Sequence, residues 1–259
     1  MHVWFLIVTR QPIAQALDAL LRQDSAKPFI TQIWADGQRV ELSVRTFENN
    51  VAKAANLLQE EFDADAHTTF LLKLPLHWQA SVWLTAVAMT GSSVRPVLAS
   101  DSTSIPETPG HEYAAAFVDR AAHVDSVITP TYVVSLHPLG LPEGHTPPGT
   151  LDLAREIRGY SDVFIPSIHG PDDVWLHLGD AQLSQQDALA RAESLARSVG
   201  LDTGGRLLIQ GAVNGDTVLA VCALPFSYRA SVVICPESDA DIEKIAAIER
   251  CTAVLIPER

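Results

Sequence analysis

TFLLKLPLHWQASVWLTAVAMTGSSVRPV, residues 69–97, sets the architecture of this chain. Residues 69–74 form a short continuous apolar run, the mark of a strand buried on both faces. Pro75 ends it. Residues 78–89 are apolar nearly all round, so the sequence predicts a helix with no solvent face, closed by Gly91. Residues 94–99 supply the next strand. Strand, helix, strand in that order is a βαβ unit, whose right-handed crossover makes the two strands parallel and adjacent.

The same rhythm extends in both directions. Upstream, Ile13, Ala16, Leu17, Leu20 and Leu21 give one amphipathic helix over residues 12–23. Asp36-Gly37 between apolar runs predicts a hairpin of the type I′ kind. Ser43 caps a helix over 45–62 that carries Phe47, Val51, Ala54, Ala55, Leu58 and Phe62 on one face. Downstream, residues 113–118 and 132–136 read as strands, with a short helix over 119–127 between them. Prolines crowd residues 137–173, and a small helix is expected at 151–158. Then come a strand at 174–178, a Gly179-Asp180 turn, a Ser184-capped helix to about 198, and strands at 206–210 and 231–235. A helix at 215–224 separates those two strands, and a helix at 239–249 leads to a last strand at 252–256. The expectation is an α/β fold of two doubly wound, largely parallel subdomains. The first would span 1–165, including the Pro-rich connector from about 137, and the second, smaller one 166–259.

Composition narrows the function classes. In 259 residues, 47% are hydrophobic and 19% charged, as in a well-buried globular protein. A formal charge of −13 without any Lys/Arg stripe argues against nucleic acid and against anionic membranes. The apolar start MHVWFLIVTRQ has no basic flank or cleavage site and is shorter than the roughly 18 residues a spanning helix needs. An edge strand or extended start is expected there. Cys222, Cys235 and Cys251 are too few and too widely spaced for a metal site or disulfide framework, and suit a reduced, cytoplasmic setting.

Several passages resemble the N-terminal domain of the adenylate-forming superfamily: acyl-CoA synthetases, peptide-synthetase adenylation domains and luciferases. LSVRTFENNVAKAANLL (42–58) is similar to their "L-T-Y-x-E-L" helix, residues 70–97 to their "V-A-L-L-L-P-N-S-x-E-F" passage, and IERCTAVLIP (248–257) to a segment after their second-subdomain helix. SLHPLGLPEGHTPPGTLDLAREIRGYSDVFIP (135–166) resembles a connector in a small bacterial family of short AMP-binding-like proteins with no established activity. These are scaffold motifs and imply fold.

The superfamily's chemistry needs the loop "T-S-G-[ST]-T-G-x-P-K-G", whose backbone N–H groups hold ATP phosphates. Here residues 172–178 pass through Gly179, Asp180, Ala181 and Gln182 straight into Leu183, Ser184 and a helix. Asp180 would put a negative charge where phosphates sit. The downstream "Y-G-x-T-E" motif, the ribose-binding Asp and the lid-domain lysine fall beyond Arg259. The resemblance therefore implies a truncated, non-catalytic relative with no cofactor, AMP, ATP or CoA derivatives having no motif to support them. Its role would be to bind a small molecule (nucleotide or acyl) or a protein. Exposed surface left by the shortened domain calls for a homodimer or a partner chain.

The alternative is an enzyme, a hydrolase or acyl-handling protein, using the cleft between subdomains. His137, Asp180 and Asn214 are its candidates, since they stand at or near carboxyl ends of strands, where open α/β sheets place ligands. No G-x-S-x-G elbow or G-x-G-x-x-G fingerprint occurs. His137, Glu143 and His145, with Asp152 or His169, are a scattered set that reads as solvated loop residues before it reads as a metal site. His77 opens the buried helix and is expected to be satisfied or partly exposed. Tyr228-Arg229 precedes a strand with no role assigned.

Overall fold

The computed structural model describes residues 12–34, 36–101, 113–119, 130–142, 144–168, 170–236 and 240–256. Its elements in chain order are α1 (Pro12–Asp24), β1 (Pro28–Ile33), β2 (Arg39–Ser43), α2 (Val44–Phe62), β3 (Thr69–Lys73), α3 (Trp78–Thr90), β4 (Ser93–Pro96), β5 (Ala115–Val118) and β6 (Thr131–Val133). There follow β7 (Leu151–Asp152), α4 (Leu153–Glu156), β8 (Val174–Leu178), β9 (Ala181–Ser184), α5 (Gln185–Ser198), β10 (Arg206–Gln210), α6 (Gly215–Cys222), α7 (Leu224–Ser227), β11 (Ser231–Cys235), α8 (Ile242–Glu249) and β12 (Ala253–Leu255). The expected strand at 1–11 lies outside the described residues, as does all but Asp119 of the expected helix at 119–127.

The strands form two sheets, one of five strands ordered β12-β10-β11-β1-β2 and one of seven ordered β7-β6-β5-β3-β4-β8-β9. Both are parallel except for β2 and β9, which close hairpins on β1 and β8. β3 and β4 are adjacent and parallel, as the βαβ reading requires. The fold is mixed α/β. The sheets do not divide at 165/166, however. β1 and β2 join the late strands β10–β12, while β8 and β9 extend the sheet of β3–β7. Hydrophobic period reveals that a segment is a strand, but not which partner it takes.

Period-2 alternation sorts the core. Phe70 and Leu72 of β3, and Leu207 and Ile209 of β10, face the large interior shared by both sheets. Leu71 turns the other way, to Ala116, Val118 and Val133. Leu208 does the same, packing with Val233 and Cys235 beneath Ile242 and Ile245 of α8. Between the sheets lies α3, with all thirteen of its residues buried. Trp83 stacks on Phe117 of β5 at 4.1 Å between ring centroids, and Phe117 stacks in turn on Tyr132 at 5.2 Å. Trp175 of β8 donates its indole N–H to the Leu84 carbonyl at 2.9 Å.

Local chemistry fixes the element ends. Ser43 accepts the Thr46 N–H and caps α2, and Gly91 ends α3 at φ 73°. Ser184 and Asp187 form a reciprocal capping box on α5. The first hairpin is not the expected type I′ turn on Asp36-Gly37: the Gly37 N–H donates to the Trp34 carbonyl at 2.9 Å and the Trp34 N–H to the Gln38 carbonyl at 3.0 Å, so Gly37, at φ 83°, closes the turn rather than standing at its centre. Instead the Asp36 carboxylate accepts the Gln38 N–H at 2.9 Å.

An ionic cluster ties α8 to its sheet. Glu249 accepts from Arg39 at 2.8 Å and from Arg206 at 2.7 Å, and Arg206 also donates to Thr31 at 2.8 Å. The hydrogen bond from Arg39 is the main cause that holds the Glu249 carboxyl below its ordinary pKa, with Arg206 adding to it and burial opposing. Because its folded pKa lies below the unfolded one, this contribution is full at neutral pH and fades as pH falls through the depressed value. Glu249→Gln is expected to lower stability at pH 7 and to flatten the acid limb of a urea-denaturation series below about pH 4.3. An acid limb identical to that of the wild type would refute this role.

Candidate functional site

The carboxyl ends of β4, β8 and β10 meet α5 and α6 at an open groove of about 720 Å³, within the usual size for ligand sites. Its apolar floor is Leu98, Leu178, Leu195 and Leu219. Asp187 and Arg191 on α5 and Asp216 on α6 supply the charge. Ser184 hydrogen bonds hold the Asp187 carboxyl below its ordinary pKa, so it stays ionised at neutral pH. The groove therefore combines a leucine surface with one guanidinium and two carboxylates.

The β8–β9 hairpin beside this groove is tight. Leu178 pairs with Ala181, so Gly179 and Asp180 alone make the turn. Gly179 has φ 58°, which places a glycine where a II′ turn needs positive φ. By sequence alone, residues 179–182 lead straight into Leu183, Ser184 and the helix. Residues 181–184 are instead strand β9, because Leu183 pairs with Leu176 and is buried. The Asp180 carboxylate stands exposed on this two-residue turn.

The candidate residues have separate surroundings. Asn214 precedes the groove-lining Gly215, but its side chain is spent on capping α6: Oδ1 accepts the Thr217 N–H at 2.9 Å. Asp180 is two residues from the groove-lining Leu178. His137 belongs elsewhere, beyond the carboxyl end of β6, which is separated from β8 by β5, β3 and β4. Four inter-strand spacings amount to about 19 Å. The His137 imidazole accepts the Leu139 N–H at 3.1 Å and shapes its own turn.

Of the scattered metal set, Glu143 and His169 lie outside the described residues, and Asp152 pairs with Arg155 at 3.0 Å. Among the described residues, no three His, Cys, Asp or Glu side chains stand together to hold a metal. Burial pushes the Cys222 thiol up, and the Cys251 thiol to about 11, so neither is poised as a nucleophile. His77 is more buried than expected. Sequence reading missed Arg191 and Asp187 as groove residues because a polar stripe on a helix reads as a solvated face. No helix among the described residues is long and apolar enough to cross a membrane.

No family model matches the chain. A protein of Mycobacterium tuberculosis H37Rv, described as a TIGR03089 family protein, is 30% identical over 251 residues, covering 92% of this chain and 96% of that one. This chain belongs to the TIGR03089 family. Solved structures share the fold of this TIGR03089 chain. Acetoacetyl-CoA synthetase from Streptomyces lividans matches 94% of it with a TM-score of 0.76 at 17% identity. An acyl-CoA synthetase from Brucella canis matches 94% with a TM-score of 0.70 at 13% identity. Apo MatB from Rhodopseudomonas palustris matches 95% with a TM-score of 0.65 at 17% identity. The TIGR03089 chain spans only 42%, 46% and 49% of those three proteins respectively. At such identities the likeness is one of fold, and it agrees with the scaffold resemblance read from the sequence.

Proposed function

We propose that this chain is a non-catalytic relative of adenylate-forming enzymes that binds a small molecule, nucleotide or acyl, in the groove at α5 and α6. One observation carries the reading: the Gly179-Asp180 turn leaves no span of backbone to wrap a phosphate chain. Electrostatic stabilisation of developing charge is the largest catalytic contribution in such chemistry, and it requires donors. The turn offers a carboxylate instead. The leucine floor favours the acyl part of a ligand, and Arg191 favours its anionic end.

Calorimetry with ATP–Mg²⁺, AMP, CoA and acyl-CoA tests this. The expected outcome is a saturable heat with at least one of them, weakened about tenfold (roughly 1.4 kcal/mol) in Arg191→Glu. No heat from any of them would remove the small-molecule role and leave protein docking. Heats indifferent to Arg191 would move the site elsewhere.

The second part of the reading is association. Val163, Ile165 and Ile168, at 70%, 84% and 64% exposure, crowd one segment of the connector. Large apolar side chains gathered this way mark an interaction surface. A homodimer or a complex with a partner chain is the expected form. Light scattering on the purified chain should give twice the monomer mass at concentrations on the order of tens of micromolar. A strict monomer there would contradict the homodimer.

A further inference from the structure

Helix α8 covers the face of β10 and β11 that is turned away from the main interior, yet no residue of α8 is itself buried. Every other α-helix among the described residues has buried side chains, from two in α4 to thirteen in α3. Beneath α8, Leu208, Val233 and Cys235 are each 0% exposed. Among the described residues, the apolar side chains packed on this trio are Ile33 of β1 and then Ala240, Ile242, Ile245, Ala246 and Cys251, all from α8 or its flanks. One short helix thus supplies most of the cover for a fully buried strip, while gaining little burial of its own.

The helix is complete in itself. The Asp241 carboxylate accepts the Lys244 N–H at 3.0 Å, and Arg250, at φ 53°, lets the Cys251 N–H reach the Ala246 carbonyl at 2.8 Å. Neither end needs the sheet to satisfy these groups. What fastens α8 is Glu249, whose side chain is only 6% exposed. Arg39 grips both of its carboxylate oxygens, at 2.8 and 3.2 Å, and Arg206 adds a contact of 2.7 Å. Both arginines are braced from the sheet. Arg206 donates to the Thr31 and Ser231 hydroxyls at 2.8 and 3.3 Å, and Arg39 to Glu41 at 2.6 Å. The ionic contact is therefore fixed on the sheet side and hangs on one carboxylate on the helix side. Local opening is drawn from elements with few buried contacts, and α8 is such an element.

We infer that α8 is a cover that lifts from the sheet as a unit while the rest of the fold stays closed, with Glu249 as its clasp, so that the strip of Leu208, Val233 and Cys235 becomes accessible in the open form. The inference is independent of the groove and of the association proposed above. Two cysteines distinguish it from global unfolding: Cys235 lies under α8, whereas Cys222 lies in the interior shared by both sheets.

Maleimide labelling of the whole chain under native conditions, read by mass spectrometry at each cysteine, tests it. Each rate is taken relative to that of the same cysteine in the urea-unfolded chain. In the wild type, Cys235 is expected to label faster than Cys222. Glu249→Gln should speed Cys235 about tenfold or more and leave Cys222 unchanged. Arg39→Gln, on the more exposed arm of the clasp, should speed Cys235 about threefold, and decides the matter if Glu249→Gln fails to fold. Equal relative rates at the two cysteines would overturn the inference, since both would then await global unfolding. So would a Cys235 rate that neither variant changes, or a variant that speeds both cysteines alike.

Discussion

Helix α3 has no solvent-facing side, and every group it carries must be answered from within the protein. Its apolar surface is met by both sheets and by the helices between them. Several of its polar groups are met one at a time. The Ser81 hydroxyl donates to the Val221 carbonyl of α6, and Gln185 of α5 donates to the Ala88 carbonyl at 2.9 Å. Trp175 of β8 and Gln32 of β1 reach it from opposite sheets. Gln185 also accepts the Ile13 N–H at 3.2 Å, so α1 is drawn into the same arrangement. Segments distant in sequence are thereby fixed in one place. Truncating a buried aromatic at this centre, such as Trp83, costs about 3–5 kcal/mol in comparable cores.

This constraint fixes the scaffold while leaving the loops at its strand ends free to vary. The sheets and α3 hold the carboxyl ends of β4, β8 and β10 together whatever joins β8 to β9. A long phosphate-wrapping loop and a two-residue turn are both compatible with the same paired strands. Function in such a fold depends on the loops at the strand ends. In this chain those ends carry Asp180, the capping Asn214 and a leucine-floored groove with Arg191 at its side.

Much of this was legible in the sequence. The apolar runs of β3 and β10, the all-round apolarity of α3 and the caps Ser43, Ser184 and Gly91 follow from local rules that tertiary context did not override. Strand partnership was not legible: Val174–Leu178 looks the same in sequence whether it pairs with β4 or begins a new sheet. β9 was hidden because Ala181 and Gln182 lack the apolar alternation of a strand, and only the pairing of Leu183 reveals it. His137, Asp180 and Asn214 were chosen for lying near strand ends. Strand order then separates His137 from Asp180. The near-complete burial of His77 leaves no trace in sequence, since it is a property of packing.

Carboxylate-dependent exchange of labelled pyrophosphate into ATP tests whether this scaffold adenylates. With only Gly179 and Asp180 joining β8 to β9, no exchange above background is expected for short-chain, long-chain or aromatic carboxylates at saturating ATP–Mg²⁺. Exchange that depends on both a carboxylate and this chain would show that ATP phosphates are held by other groups and that the chain is catalytic.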